Sequence, residues 1–251
     1  MRIIYYVAGL LFILISSGCT TQTSRVGVDN KKVSIANTEL GVAYLRQGKY
    51  KVAMHKLKKA LEHDDDNANA HHYIAELYRR LEQNELADKH FKEALDHDEE
   101  NSSLRNNYGI FLCGIGSYEK GLKYLNQVLL DPLYSNKGQA YENMGICVEK
   151  QGNVKKAEQY YISALKFNMN SPSALLGLAQ IEFDKRNVKL AAEYLNRHNK
   201  IARATSQSLW LGLIIARKQG FKGKAGSLAI KIKQYFPDSK EAKYLEKLKI
   251  R

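Results

Sequence analysis

The stretch AELYRRLEQNELADKHFKEA, residues 75–94, decides the fold because its spacing of small and bulky side chains recurs along the chain. Ala75 is small, Ala87 is the next small residue twelve positions later, and the bulky Phe91 follows it. The residues that correspond to Ala75 in neighbouring copies are Gly41, Gly109, Gly145 and Ala179. The step from Gly41 to Ala75, and from Ala75 to Gly109, is 34 residues, which is the length of one helix pair.

Small residues at this spacing let two antiparallel helices approach closely, while the larger residues fill the space around them. The pattern resembles the tetratricopeptide repeat, which implies an all-α, right-handed superhelical solenoid of about six helix pairs. Glycines Gly48, Gly116, Gly152 and Gly220 stand where the first helix of a pair ends, and a left-handed residue there turns the chain at low cost. The six copies are predicted at residues 34–67, 68–101, 102–137, 138–171, 172–205 and 206–239.

The last segment, residues 240–251, is predicted to form a capping helix. Ala242 and Leu245 lie on one helical stripe and lysines surround them, so one face can cover the last repeat while the other meets water.

Charge is distributed unevenly along the chain. Residues 1–184 hold 22 basic and 22 acidic side chains, whereas residues 185–251 hold 17 basic and 4 acidic, which accounts for the whole net charge of +13. Within the neutral part, residues 62–100 carry 13 acidic side chains against 4 basic ones. This separation of acidic and basic segments suits an adaptor that binds differently charged surfaces, or a basic C-terminal part that lies near anionic lipid. The alternative interpretation is that the lysine-rich helix faces are in contact with water only and bind no partner.

The N-terminus is typical of an export signal. Arg2 precedes an apolar run over residues 3–15, which is too short to span a bilayer, and small residues lead to Cys19. It resembles a bacterial lipoprotein signal, although Ser16 stands where that family prefers leucine. The resemblance implies a signal peptide over 1–18, lipid on Cys19 and a flexible tether over 19–33; the alternative is an ordinary secretory signal. By resemblance to the sorting rules of such lipoproteins, Thr20 after the cysteine implies the periplasmic face of the outer membrane of a Gram-negative bacterium.

Catalytic and cofactor motifs are not apparent. The seven histidines form no zinc-binding pattern, no phosphate-binding glycine loop follows a strand, and no nucleophile elbow occurs. We therefore expect no catalytic residue, no metal, no cofactor other than the covalent lipid and no small-molecule substrate. The basic C-terminal part raises nucleic acid as a partner, but an exported protein rarely meets it, so we expect none.

The resemblance to tetratricopeptide repeats also implies a peptide-binding groove lined by the first helix of each pair. Amide, apolar and charged residues would share this surface, which is the composition of a peptide groove. Trp210 is the only tryptophan and is either an anchor for the partner or a packing residue. The predicted groove residues are Asn69, His72, Glu76, Arg79, Asn106, Ile110, Gln139, Glu142, Ile146, Phe183 and Trp210.

Two further cysteines, Cys113 and Cys147, fall on the first helices of repeats three and four, which are side by side in such a solenoid. An oxidising compartment would permit a disulfide between them. The alternative is that both are small buried residues at helix contacts.

The segments LRNNYGIFLC (104–113) and YENMGICVEKQGN (141–153), together with the signal and six repeats, resemble the PilF/PilW family. The resemblance implies an outer-membrane lipoprotein, or pilotin, of type IV pilus biogenesis that binds the secretin subunit and promotes its localisation and multimerisation. The alternative is a periplasmic scaffold that docks cell-wall enzymes. Whether such machinery would serve pili, secretion or DNA uptake stays open, and Asn107 has no role in the packing pattern.

Overall fold

The structure, a computed structural model, describes residues 29–247. The predicted signal peptide, Cys19 and residues 248–251 lie outside this range. Within it the chain forms thirteen helices and no strand, arranged as six antiparallel pairs followed by one short helix, which confirms the predicted all-α solenoid. The helices are α1 (Asn30–Arg46), α2 (Tyr50–His63), α3 (Ala68–Arg80), α4 (Asn84–His97), α5 (Ser102–Gly114), α6 (Tyr118–Leu130), α7 (Lys137–Lys150), α8 (Val154–Phe167), α9 (Pro172–Asp184), α10 (Val188–Ile201), α11 (Ser206–Lys218), α12 (Lys222–Tyr235) and α13 (Lys240–Lys247).

The first helix starts earlier than the predicted repeat boundary at residue 34. Helix α1 begins at Asn30 because the Asp29 side chain accepts a hydrogen bond from the Lys32 N–H, at 3.2 Å, and so caps the helix. The last residues of the predicted tether are therefore part of the folded body.

The turn between the two helices of each pair uses a left-handed residue, as the glycines predict. The four predicted turn glycines have φ between 73° and 92°. In pairs two and five, which lack a glycine there, Glu82 and Arg186 take up the same conformation with φ of 58° and 68°. Both side chains are exposed, so the unfavourable backbone is not offset by burial.

Close contact between the two helices of a pair depends on the predicted small positions. A Cβ on Gly109 of α5 would lie 2.8 Å from Leu125 Cγ of α6, and one on Gly121 would lie 2.5 Å from Cys113 Sγ. The alanines at the equivalent places in the second helices, Ala53, Ala87 and Ala157, are completely buried. The backbones therefore meet where the sequence removes side chains.

The Tyr161 ring of α8 shows the tightest packing of this kind. A Cβ on Gly145 of α7 would lie 2.5 Å from the ring, and one on Gly177 of α9 would be closer still. The ring is thus held between the first helices of two successive pairs, and its hydroxyl donates to Glu149. Helix packing within pair four and between pairs four and five shares this one side chain.

The short helix α13 caps the solenoid as predicted. Ala242 and Leu245 are buried against α11 and α12, whereas Tyr244 stays half exposed.

The two inner cysteines meet on adjacent first helices. Cys113 of α5 and Cys147 of α7 have their Cα atoms 5.2 Å apart, their sulfur atoms lie at bonding distance, and both residues are completely buried. The Cα separation falls within the range that a disulfide requires.

We expect Gly177→Ala to lower the free energy of unfolding by about 1–3 kcal/mol, because the added methyl group would collide with the Tyr161 ring. Gly226→Ala is the matched control: Gly226 lies inside α12 with no atom within 4 Å of an added Cβ, so the same change should stabilise by about 0.5–1 kcal/mol. Urea unfolding followed by circular dichroism measures both. Equal effects at the two positions would contradict the packing described.

Candidate protein-binding site

The first helices of the pairs form one continuous face, which we call the A-helix face and define by α1, α3, α5, α7, α9 and α11. Successive first helices contact one another directly at four joints: α1–α3, α5–α7, α7–α9 and α9–α11. The second helices instead contact the first helix of the next pair. The first helices are therefore drawn together on the inner side of the curve, where the sequence predicts the groove.

A chain of hydrogen-bonded amides crosses this face over three pairs. Gln139 Nε2 donates to Asn143 Oδ1 at 3.2 Å, both on α7. Asn143 Nδ2 then donates to Asn106 Oδ1 of α5 at 2.9 Å, and Asn106 Nδ2 donates to its neighbour Asn107 at 3.4 Å. Asn107 Nδ2 lies 3.0 Å from His72 Nε2 of α3. We call these five side chains the amide chain.

All hydrogen bonds of the amide chain are donated in the same direction, and His72 accepts the last of them. Each amide nitrogen donates to the next acceptor, so His72 Nε2 must accept, which requires a neutral ring that carries its proton on Nδ1. His72 is 8% exposed, and this burial lowers its pKa, an effect that the Glu76 carboxylate partly opposes. A neutral histidine therefore fits both the burial and the hydrogen bond.

Asn107, which the packing pattern did not explain, therefore has a structural role. At the joint between pairs two and three the direct contact of α3 with α5 is sparse, and the Asn107 to His72 hydrogen bond crosses that gap. The signal in the sequence was the pair of asparagines in the first helix of repeat three, followed by Asn143 one repeat later.

The predicted groove residues divide into a buried and an open group. His72, Asn106 and Glu142 are buried, with exposures of 5–8%. Glu142 accepts a hydrogen bond from the Ser171 hydroxyl at the start of α9, so its carboxylate is engaged within the fold. These three side chains lie in the floor and offer little free surface. The remaining predicted residues are half buried or exposed: Asn69, Glu76, Arg79, Ile110, Gln139, Ile146, Phe183 and Trp210.

Charged residues border the floor at pair two. Arg79 donates from Nε and Nη2 to the Glu76 carboxylate, with the shortest distance 2.8 Å. The guanidinium of Arg79 is well exposed, so this pair can exchange partners with a ligand at small cost.

Apolar side chains continue the face toward the C-terminal end. Phe183 of α9 and Ile214 of α11 line a depression of about 360 Å³, and the cations Arg217 and Lys218 stand at its edge. Trp210 is half buried and makes an edge contact with the Tyr244 ring at 5.3 Å between centroids. This contact agrees with the interpretation of Trp210 as a packing residue. Its role as an anchor for a partner stays a prediction.

Two histidines of the second helix pair, His71 of α3 and His90 of α4, contact each other. His71 Nε2 donates to the Asp65 carbonyl, and His71 Nδ1 lies 3.0 Å from His90 Nδ1, so one of these two nitrogens donates to the other. Burial and the neighbouring His71 lower the pKa of His90 to about 4. Between residues 29 and 247 no group of three or more histidine, cysteine, aspartate or glutamate side chains is arranged to hold a metal ion.

The same part of the chain contains no helix that is both long and apolar enough to span a membrane.

We predict that Asn107→Asp will raise the pKa of His72 above its ordinary value of 6.5, because a carboxylate would replace the amide donor beside Nε2. In the wild type the folded-state pKa is below 6.5, so the unfolded chain binds the proton first and stability falls as pH drops below about 6.5. In the variant the folded-state pKa exceeds the unfolded one. The pair then adds stability below about pH 6.5 and loses it as pH rises through the folded-state pKa.

Urea unfolding at several pH values, with histidine titration by NMR, measures this reversal. Asn126→Asp is the control, since Asn126 is exposed on α6 and bonds only the Leu122 carbonyl. A pKa of His72 that stays below 6.5 in Asn107→Asp would refute the hydrogen-bond assignment.

Comparison with known proteins agrees with this architecture. The tetratricopeptide repeat family model matches residues 38–102 and 149–205. The type IV pilus assembly protein PilF of Pseudomonas aeruginosa is 29% identical over 240 residues, which cover 93% of this chain and 95% of PilF. A solved structure of Pseudomonas aeruginosa PilF superposes with a TM-score of 0.76 at 28% identity, covering 87% of this chain and 99% of that one.

The crystal structure of PilW, described as a widely conserved type IV pilus biogenesis factor, superposes with a TM-score of 0.75. It is 30% identical in sequence and covers 85% of this chain and 98% of the PilW chain. The agreement extends over nearly the whole length of both relatives. The chain therefore belongs to the PilF/PilW family of tetratricopeptide repeat proteins.

Proposed function

We propose that this protein is a lipid-anchored adaptor of type IV pilus biogenesis at the outer membrane, which binds the secretin subunit and promotes its multimerisation. The observation that carries the proposal is the likeness to PilF and PilW over more than four fifths of the chain. A helix-pair solenoid is a scaffold for protein contacts, and we accordingly assign it a binding role without chemical turnover.

The A-helix face is the surface we assign to the secretin. Its amide chain fixes neighbouring first helices relative to one another, so the open side chains are held in place before a partner arrives. Preorganisation of this kind reduces the entropy that binding costs. The exposed amides Asn69 and Gln139 and the half-buried Ile110 and Ile146 supply polar and apolar contacts along one groove.

Lipid on Cys19 would hold the folded body close to the membrane. Helix α1 starts at Asn30, and residues 20–29 can span at most about 35 Å when fully extended. The groove would therefore stay within reach of a secretin subunit that arrives at the inner leaflet of the outer membrane.

A disulfide between Cys113 and Cys147 forms part of the proposal. It would join the first helices of pairs three and four one to two helical turns from the Asn143 to Asn106 hydrogen bond, so the middle of the groove would be fixed covalently as well as by hydrogen bonds. An oxidising periplasm permits such a bond.

We predict that dithiothreitol will lower the free energy of unfolding of the wild type by about 2–4 kcal/mol, because reduction releases a loop closed across 34 residues. The Cys113→Ala, Cys147→Ala double variant has no bond to reduce, so its unfolding curve should be the same with and without the reductant. An unchanged wild-type curve, with two free thiols in an Ellman assay of the unfolded oxidised protein, would overturn the disulfide.

Deletion of the gene tests the function. We expect loss of heat- and detergent-resistant secretin multimers on immunoblots and loss of surface pili, both restored by the wild-type gene. Normal secretin multimers and normal piliation in the deletion strain would contradict the proposal. If cross-linked envelopes instead yield amidases or transpeptidases, the protein is a scaffold for cell-wall enzymes.

Complementation with two matched variants locates the binding face. Asn69→Arg with Gln139→Arg places two bulky cations on the A-helix face, and Gln159→Arg with Gln234→Arg places two on exposed positions of α8 and α12. We expect only the first variant to reduce multimers, since a blocked contact costs at least about 1–2 kcal/mol of binding.

A further inference from the structure

A cleft on the outer side of the solenoid is separate from the A-helix face to which we assign the secretin. It lies between the second helices of pairs two and three, α4 and α6, and has a volume of about 890 Å³. Helix α5 forms its floor. The cleft occurs at the joint where α3 and α5 make sparse contact, so the two pairs are joined mainly by α4 packing on α5.

The two walls of the cleft carry opposite charges. Glu85 and Asp96 of α4, with Glu99 just beyond it, line one side, and Lys120 and Lys123 of α6 line the other. Across residues 29–247 none of these five side chains forms an ion pair. On the α4 wall only Asp88 is engaged, with Lys92 at 2.6 Å. Opposite charges therefore face each other across a gap without neutralising each other.

Between the charged rows the cleft is mainly apolar, although the Arg105 side chain of α5 also lines it. The apolar lining residues include Leu95, Leu112, Ile115 and the Tyr124 ring. The Tyr108 ring also lines the cleft, and the Tyr108 hydroxyl donates to Asp88 at 2.8 Å, so its polar atom is already satisfied. A partner that covers the floor would bury apolar surface without leaving that hydroxyl unpaired.

The wall residues follow helical spacing. Glu85, Asp88 and Asp96 recur at intervals of three and eight residues along α4, and Lys120 and Lys123 are three apart on α6. Each charged row therefore runs along a helix axis, parallel to the apolar floor. A partner helix has the same axial repeat, so its side chains can pair with the row on α4 and with the two lysines on α6.

We propose that this cleft binds an amphipathic helix of a protein partner, with its apolar stripe on the floor, basic side chains toward α4 and acidic side chains toward α6. The binding is of the helix-in-groove kind, and the two rows select the partner by charge. The C-terminal part of a second copy of this chain matches poorly, because residues 185–251 hold 17 basic but only 4 acidic side chains in sequence. The proposal concerns the outer side of the solenoid and does not depend on what binds the A-helix face.

Three designed helical peptides test it, each about 20 residues long so that the helix is stable, with the same leucine stripe. One carries lysines on one flank and glutamates on the other, one carries lysines on both flanks, and one carries glutamates on both. Fluorescence anisotropy with a chain of residues 20–251, which contains the whole described solenoid, measures binding at low salt. We expect the mixed peptide to bind at least about tenfold more tightly than either other peptide, equivalent to about 1.4 kcal/mol.

A charge reversal makes the test specific. Lys120→Glu with Lys123→Glu renders both walls acidic, so the preference should change to the peptide with lysines on both flanks. Lys224→Glu with Lys231→Glu is the control, since it makes the same change of net charge on exposed positions of α12 and should keep the preference for the mixed peptide.

Two results would overturn the proposal. One is equal binding of the three peptides to the wild type, or no binding at all. The other is an identical change of preference in both double variants, which would mean that net charge rather than the cleft selects the peptide. Concentration-dependent dimers in analytical ultracentrifugation, lost in Lys120→Glu with Lys123→Glu but kept in the control, would assign the cleft to a second copy of the chain and so also contradict it.

Discussion

Contact between helix backbones where the two helices of a pair cross is the constraint on which this structure depends. Gly109 and Gly121 themselves place no side chain between α5 and α6, and an added Cβ at either position would lie less than 3 Å from atoms of the facing helix. The Tyr161 ring extends the constraint from one pair to the next, because Gly145 and Gly177 hold it from two successive first helices. Close packing of this kind allows few alternative arrangements, so each pair fixes the position of its neighbour.

Because the helix pairs are fixed relative to one another, polar side chains from neighbouring pairs come within hydrogen-bonding distance. Asn143, Asn106 and Asn107 belong to two different pairs, yet their amides join into a chain with a single direction that ends on His72. A chain whose every member has a partner stiffens the surface that contains it, whereas a broken one costs the desolvation of each orphaned group. The segment NNYGIFLC thus serves both sides of the solenoid: its asparagines form the floor of the A-helix face, while Tyr108 and Leu112 form the floor of the outer cleft.

Features set by neighbours in sequence could be predicted, and features set by neighbours in space could not. The helix pairs, the capping helix and the turn glycines follow from spacing and from the conformational freedom of glycine. Glu82 and Arg186 at left-handed turns carry no such signal, because the rest of the pair imposes that conformation on them. Family position placed Glu142 in the groove, but its bond to Ser171 depends on how the next pair packs. The outer cleft depends in the same way on the spacing of α4 and α6.

Site-specific photo-cross-linking in living cells tests the central claim most directly. A photoreactive amino acid at Gln139, exposed on the A-helix face, is compared with one at Gln159, exposed on α8, and the cross-linked products are identified by mass spectrometry. The account predicts secretin peptides joined to the first position and not to the second. Secretin captured only from Gln159, or cell-wall enzymes captured from Gln139 in place of secretin, would contradict it.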